Sequence, residues 1–165
     1  MKKPVSAYQK AIDLLSRRDH FRLELAEKLR QRNFPEDEIE SAIQRCEESG
    51  LVEDQRVAVR FVEVRAATRG WGPHRLSAEL RRRGVPSGDA EKYAQLTPDM
   101  ADEAMATALR RLELRAPDAW WRDGQRRARM VSSLITRGFE TDVAIAAVHR
   151  LADSRENINH ALDDQ

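Results

Sequence analysis

Apolar positions in this chain recur in pairs four residues apart. Each pair is followed by a residue that tolerates a left-handed backbone, and then by another apolar residue. Leu25, Leu29, Asn33 and Phe34 form the first set, Leu76, Leu80, Gly84 and Val85 the second, and Met130, Leu134, Gly138 and Phe139 the third. A spacing of four puts the pair on one helix face, the Gly or Asn ends the helix, and the residue after it packs back. The register continues beyond each cap: Ile39 aligns with Ala90 and Ala144, and Ile43 with Ala94 and Val148. A second helix is therefore predicted after each cap. A third precedes each set, over Tyr8 to Arg17, Asp54 to Arg69 and Ala101 to Leu114. The pattern predicts three tandem three-helix repeats, near residues 7–50, 53–95 and 100–150. The corresponding domains are 1–52, 53–97 and 98–165, the last carrying an acidic C-terminal tail.

Strands have no comparable signal. No segment alternates apolar and polar residues for long, and β-branched residues are sparse. Breakers fall between the helices, at Asn33 to Pro35, Ser49-Gly50, Gly70 to Pro73, Gly84 to Gly88, Thr97-Pro98 and Ala116-Pro117. The fold class is all-α, and each repeat has the outline of a helix-turn-helix. Leu25, Leu29, Phe34, Leu76, Leu80, Val85, Leu134 and Phe139 are the predicted core. On the helix from Asp54, Val57, Phe61 and Val64 share a face and are expected inside. Arg65 and Arg69 then lie on one flank and Arg56 and Arg60 on the other. The segment from Arg115 to Gly124 breaks the pattern. Its pair Trp120-Trp121 either packs the third repeat onto the second or anchors a partner, and packing is the expectation for at least one of the two.

Composition changes this picture little, and charge changes it more. Aromatic residues make up 5% of the chain and charged residues 35%, so small modules with aliphatic cores are expected. The net charge is only +1, yet the signs are segregated. Eight acids lie between Glu36 and Asp54 against Arg45 alone. The next stretch holds eight arginines, Arg56, Arg60, Arg65, Arg69, Arg75, Arg81, Arg82 and Arg83, against Glu63 and Glu79. Seven more lie between Arg110 and Arg129, and the last fifteen residues turn acidic. Any one arginine is expected to be an ordinary solvated side chain with a helical partner, such as Arg75 with Glu79. The cluster as a whole has too few acids to be neutralised, and it predicts a surface for a polyanion or an acidic protein face.

Catalytic constellations are missing from the pattern. His20, His74, His149 and His160 are scattered, none at metal-ligand spacing. Cys46 stands alone beside Glu47 and Glu48, whose charges are expected to raise its pKa; it reads as a small, partly buried filler. The acids of Glu36 to Glu48 suit a surface helix acidic at its N-terminus better than a Mg²⁺ site. Gly70-Trp71-Gly72 lacks the spacing and the Gly-Lys-Ser/Thr ending of a phosphate loop. Neither enzymatic activity nor a cofactor or metal is expected. A single cysteine, no apolar run of membrane-spanning length, and no apolar segment behind Met1-Lys2-Lys3-Pro4 lead us to expect a cytoplasmic protein.

The order Arg18-Asp19-His20, Glu24-Leu25, Lys28-Leu29, Gly50-Leu51-Val52-Glu53-Asp54, Val57-Ala58, Phe61, Arg65, Gly70-Trp71-Gly72-Pro73, Arg75-Leu76, Glu79-Leu80 and Gly84-Val85 resembles the RecX family of small bacterial proteins that modulate the recombinase RecA. The resemblance is strongest from Ala11 to Ala94 and continues more weakly through Met130 to Val148. Asn33 stands where the family often has Gly, and the link from Leu114 to Arg126 has no match. The resemblance implies an elongated, slightly curved stack of three-helix modules lying in the helical groove of the RecA filament on single-stranded DNA. It also implies hindered ATP turnover and strand exchange, loss of filament, and a place in DNA repair, recombination and the SOS response. The partners so implied are the RecA filament and, as an auxiliary contact, single-stranded DNA, bound by a monomer. Arg56, Arg60, Arg65, Arg69, Arg75, Arg81, Arg82 and Arg83 are the candidate contacts. The alternative is an independent helix-turn-helix DNA-binding protein or transcription regulator. Against it, the second helices of the motifs open on Pro35-Glu36-Asp37-Glu38, Pro86-Ser87-Gly88-Asp89 and Glu140-Thr141-Asp142, where phosphates would be repelled.

Overall fold

The computed structural model describes residues 5–163. Met1–Pro4, read above as no secretory signal, and the last two residues of the acidic tail lie outside them. Among the described residues the chain forms nine α-helices, one 3-10 turn and no strand. The helices are α1 (Ala7–Leu15), α2 (Arg22–Arg30), α3 (Glu36–Glu48), α4 (Asp54–Arg69), α5 (Pro73–Arg82), α6 (Ser87–Tyr93), α7 (Pro98–Glu113), α8 (Gly124–Thr136) and α9 (Thr141–Asp163), with the 3-10 turn at Trp120–Arg122.

The repeated caps share one geometry. Asn33, Gly84 and Gly138 have φ of 61°, 89° and 91°. The amide of the following residue donates back to the carbonyl of the second apolar residue of each pair: Phe34 to Leu29 at 3.5 Å, Val85 to Leu80 at 3.2 Å and Phe139 to Leu134 at 3.2 Å. The cap residue itself donates to the carbonyl three residues earlier, Asn33 to Arg30, Gly84 to Arg81 and Gly138 to Ile135. These paired bonds satisfy helix-end carbonyls that would otherwise be orphaned. The residues aligned beyond the caps, Ile39, Ala90 and Ala144, then Ile43, Ala94 and Val148, are all buried.

The chain packs into two compact units, one of residues 1–61 with 79–93, the other of residues 62–78 with 94–165. In the first, α1 and α2 pack on α3 around Ala11, Leu14, Leu25, Leu29, Ile39, Ile43 and Cys46. The Arg22 amide donates to Asp54 Oδ1 at 2.7 Å, tying the start of α2 to the start of α4. Phe21 meets Phe61 edge-on with centroids 6.3 Å apart. In the second unit, α8 packs on α9 and the Trp120–Arg122 turn packs on both. Gly70, at φ +62°, lies so close to α7 that a Cβ there would sit 2.6 Å from the Ala108 amide nitrogen. The Gly72 amide donates to the Arg137 carbonyl at 2.8 Å and the His74 amide to the Gly138 carbonyl at 3.1 Å.

Of the predicted core residues, Leu25, Leu29, Leu76, Leu80, Val85, Leu134 and Phe139 are buried. Phe34 is only half-buried, lying against the edge of the first core. The expected inner face of α4 is rotated. Val64 is exposed (47%) and Phe61 half-buried, while Val57, Ala58, Val62 and Ala66 are inside. Alanines allow α4 to approach its neighbours closely, so small residues mark the buried face. Trp120 is buried and meets the half-buried Trp121 edge-on, within the unit that holds α8 and α9.

Candidate polyanion interface

The eight arginines of the basic stretch fall in both units. In the first, Arg56 on α4 lies 3.4 Å from Glu53, and Arg81 on α5 lies 3.3 Å from Glu91. Arg60 is exposed and has no ion pair among the described residues. Arg82 and Arg83 both donate to Glu79, and Arg83 also covers the Phe61 ring at 4.6 Å. The expected Arg75–Glu79 pair is replaced by these two, because Glu79 lies three and four residues before them on the same helical stripe. Burial by itself would raise the Glu79 pKa, but the hydrogen bond and charge of Arg83, with Arg82, hold it below the ordinary value.

In the second unit, Arg65 and Arg75 converge on Trp71, their guanidinium carbons 5.7 Å and 4.4 Å from the ring centre. Both are half-buried, whereas Arg69 is exposed with no ion pair among the described residues. Arg75 Nη1 also donates to the Thr136 carbonyl at 3.4 Å, at the end of α8. Arg56, Arg60, Arg69, Arg81 and Arg82 are exposed, three of them (Arg56, Arg81 and Arg82) beside a carboxylate, while Arg65, Arg75 and Arg83 are half-buried and spend part of their charge on aromatic rings, a carbonyl or a carboxylate.

Sequence reasoning named Arg83 but missed the group of cap arginines to which it belongs. Each repeat has an arginine immediately before its left-handed cap: Arg32, Arg83 and Arg137. Arg32 returns to its own helix, donating to the Lys28 carbonyl at 2.5 Å. Arg83 finds Glu79 four residues back. The residue four before Arg137 is Ser133, whose hydroxyl donates to the Arg129 carbonyl. Arg137 Nε is buried and has no hydrogen-bond acceptor. Burial, then the charges of Arg111, Arg75 and Arg115, push the Arg137 pKa down. The recurring arginine before each cap is the signal in the sequence that marks this position.

The helices that would read bases in a helix-turn-helix begin with acids: Glu36, Asp37 and Glu38 in α3, Asp89 in α6 and Asp142 in α9. Glu36 is paired with Arg30 at 2.5 Å, and Glu40 and Glu47 with Arg22 at 2.5 and 3.1 Å, so these acids hold helices together. Cys46 is fully buried, not partly so, and its pKa is raised first by burial, with Glu47 a lesser cause than expected. His20 is buried and its Nδ1 lies 3.2 Å from Glu24 Oε1, though too poorly aligned for a hydrogen bond. His74 Nε2 lies 2.5 Å from Glu140 Oε1. Among the described residues no three His, Cys, Asp or Glu side chains gather as a metal site requires, and no helix is long and apolar enough to cross a membrane.

Residues 7–46 match the family model described as the first three-helix domain of RecX, and residues 54–93 that of the second. The regulatory protein RecX of Pseudomonas putida (strain W619) is 36% identical over 169 residues, which span 98% of this chain and 95% of that protein. Its counterpart in Ectopseudomonas mendocina (strain ymp) is 35% identical over 141 residues, or 85% of this chain and 91% of the other. The crystal structure of RecX from Lactobacillus salivarius superposes with a TM-score of 0.72 at 26% identity, covering 89% of this chain and 94% of that one.

Proposed function

Because the chain belongs to the RecX family, we propose that it is a negative modulator of RecA. It binds the RecA–single-stranded DNA filament in its helical groove and inhibits ATP hydrolysis, strand exchange and filament maintenance. It acts as a cytoplasmic monomer without a cofactor and catalyses no reaction of its own. The observation that supports this reading is the exposure of Arg56, Arg60, Arg69, Arg81 and Arg82 in a stretch with two acids against eight arginines. Exposed cations of this kind gain by meeting phosphates or acidic side chains, and long-range attraction raises the encounter rate with a polyanionic filament. The three-repeat organisation over 1–52, 53–97 and 98–165 belongs to the same proposal, since modules in tandem suit a repetitive target. No observation favours independent base reading, given the acids that open α3, α6 and α9.

Fluorescence anisotropy tests this with three separate ligands: labelled oligothymidylate, RecA alone, and the filament. The filament is expected to bind more tightly than either component, with affinity falling as salt rises. Failure to bind the filament at low salt would remove RecA regulation from the account.

A further inference from the structure

Arg137 is the one cap arginine whose own repeat gives it neither a carbonyl nor a carboxylate among the described residues, and the fold holds Arg75 and Arg111 at the neighbouring helix ends. Gly138 lies directly against the backbone of Arg75. The Gly72 amide donates to the Arg137 carbonyl and Arg75 Nη1 reaches the Thr136 carbonyl, so Arg75 and Arg137 are fixed side by side. From α7, Arg111 Nη2 donates to the Thr68 carbonyl at 2.7 Å, which brings the end of α7 to the end of α4. Arg115 follows Arg111 by four residues, and its charge, like those of Arg111 and Arg75, is felt at Arg137. Glu140, just beyond the cap, is engaged by His74.

Part of this clustering serves the fold, because cations at helix C-termini interact favourably with the last carbonyls. That role accounts for Arg75 and Arg111 and leaves Arg137 unexplained. A buried guanidinium N–H without an acceptor is costly, and three like charges beside it add to the cost. Both costs are relieved by an anion with several acceptor oxygens, and guanidinium forks match phosphate oxygens in geometry.

We propose that Arg75, Arg111, Arg115 and Arg137 form a binding site for a phosphate-class oxyanion, with Arg137 Nε–H as its innermost donor. The phosphodiester of a single strand and a free phosphate share this chemistry. The site lies within one compact unit, needs no RecA, and includes three arginines outside the basic stretch discussed above. It stands or falls separately from filament regulation.

Two measurements on the full-length protein test it. In the first, inorganic phosphate is titrated while the arginine Nε–H resonances are followed by NMR. A saturable shift of Arg137, absent with chloride at matched ionic strength, is expected. Adding oligothymidylate then identifies the source: reversal of the phosphate shift assigns the site to the nucleic-acid backbone, and persistence assigns it to a free phosphate, the site being upheld either way. In the second, Arg115→Gln and Arg137→Gln are compared with wild type for oligothymidylate affinity if the backbone is the ligand, or phosphate affinity if it is not. About tenfold weaker binding is expected for Arg137→Gln, and a smaller loss for the exposed Arg115→Gln, which keeps the test valid if the Arg137 variant folds poorly. A flat phosphate titration together with unchanged affinity of both variants for the oligonucleotide overturns the proposal. If those same variants lost affinity for RecA alone, the cluster would be reassigned to an acidic protein face.

Discussion

Single residues carry much of this architecture through backbone conformation. Gly50 and Gly70 both have positive φ, 65° and 62°, yet nothing lies within 4 Å of a Cβ at Gly50, whereas one at Gly70 would strike the backbone of α7. Gly50→Ala is therefore expected to cost about 1 kcal/mol or less, the left-handed penalty partly offset by a less flexible unfolded chain. Gly70→Ala should cost more than about 2 kcal/mol. Urea denaturation of the two variants checks the difference; equal losses would mean that α4 and α7 do not approach as described. His20 provides a second case. Burial lowers its pKa from the ordinary 6.5, while Glu24 opposes the shift. The folded state thus holds His20 neutral where the unfolded chain already takes up a proton. Its contribution is complete above about pH 6.5 and declines as pH falls toward the depressed folded value. Wild type should lose stability relative to His20→Gln between about pH 7.5 and about pH 5.5 in denaturant melts. A constant difference across that range would contradict the assignment.

At the scale of elements, helix ends were more legible than helix faces. A Gly or Asn followed by an apolar residue leaves few alternatives to a left-handed cap, so the three caps and the span of α4 could be read directly. The buried face of α4 could not. Val57, Phe61 and Val64 look like an inner stripe at helical spacing, but only Val57 of the three is inside, joined by Ala58, Val62 and Ala66. Alanine gives little hydrophobic signal, and close approach of helices selects it for size. Leu80 has 0% exposure and its carbonyl accepts the Val85 amide of the second cap, so Leu80→Ala should lower stability by roughly 2–5 kcal/mol. Chemical denaturation tests this, and a loss below about 1 kcal/mol would show that the repeat core is not packed as observed. The arginines divide in the same way. Arg56, Arg60 and Arg69 were readable as an exposed basic stretch, whereas the convergence of Arg75, Arg111, Arg115 and Arg137 depends on contacts between helices distant in sequence. Even the Arg75–Glu79 spacing misled, because Arg82 and Arg83 compete for the same carboxylate.

For the whole molecule the proposed function is regulation by binding. Among the described residues Cys46 is buried, Glu36, Glu40 and Glu47 of α3 are paired with arginines, and no three His, Cys, Asp or Glu side chains gather. The purified protein is accordingly expected to leave single-stranded and duplex DNA uncut in the presence of Mg²⁺, as gel electrophoresis can show. The most direct measurement is DNA-dependent ATP hydrolysis by RecA, titrated with this protein and with a variant in which Arg56, Arg60, Arg69 and Arg82 are alanine. These four side chains are exposed and hold no aromatic ring or backbone carbonyl, so the variant should fold like wild type, each change altering stability by about 0.5 kcal/mol or less. Wild type is predicted to inhibit at substoichiometric amounts, and the folded variant to need far more protein for the same effect. A wild-type protein that leaves the hydrolysis rate untouched, or a folded variant that inhibits as strongly as wild type, would contradict regulation of RecA through these arginines.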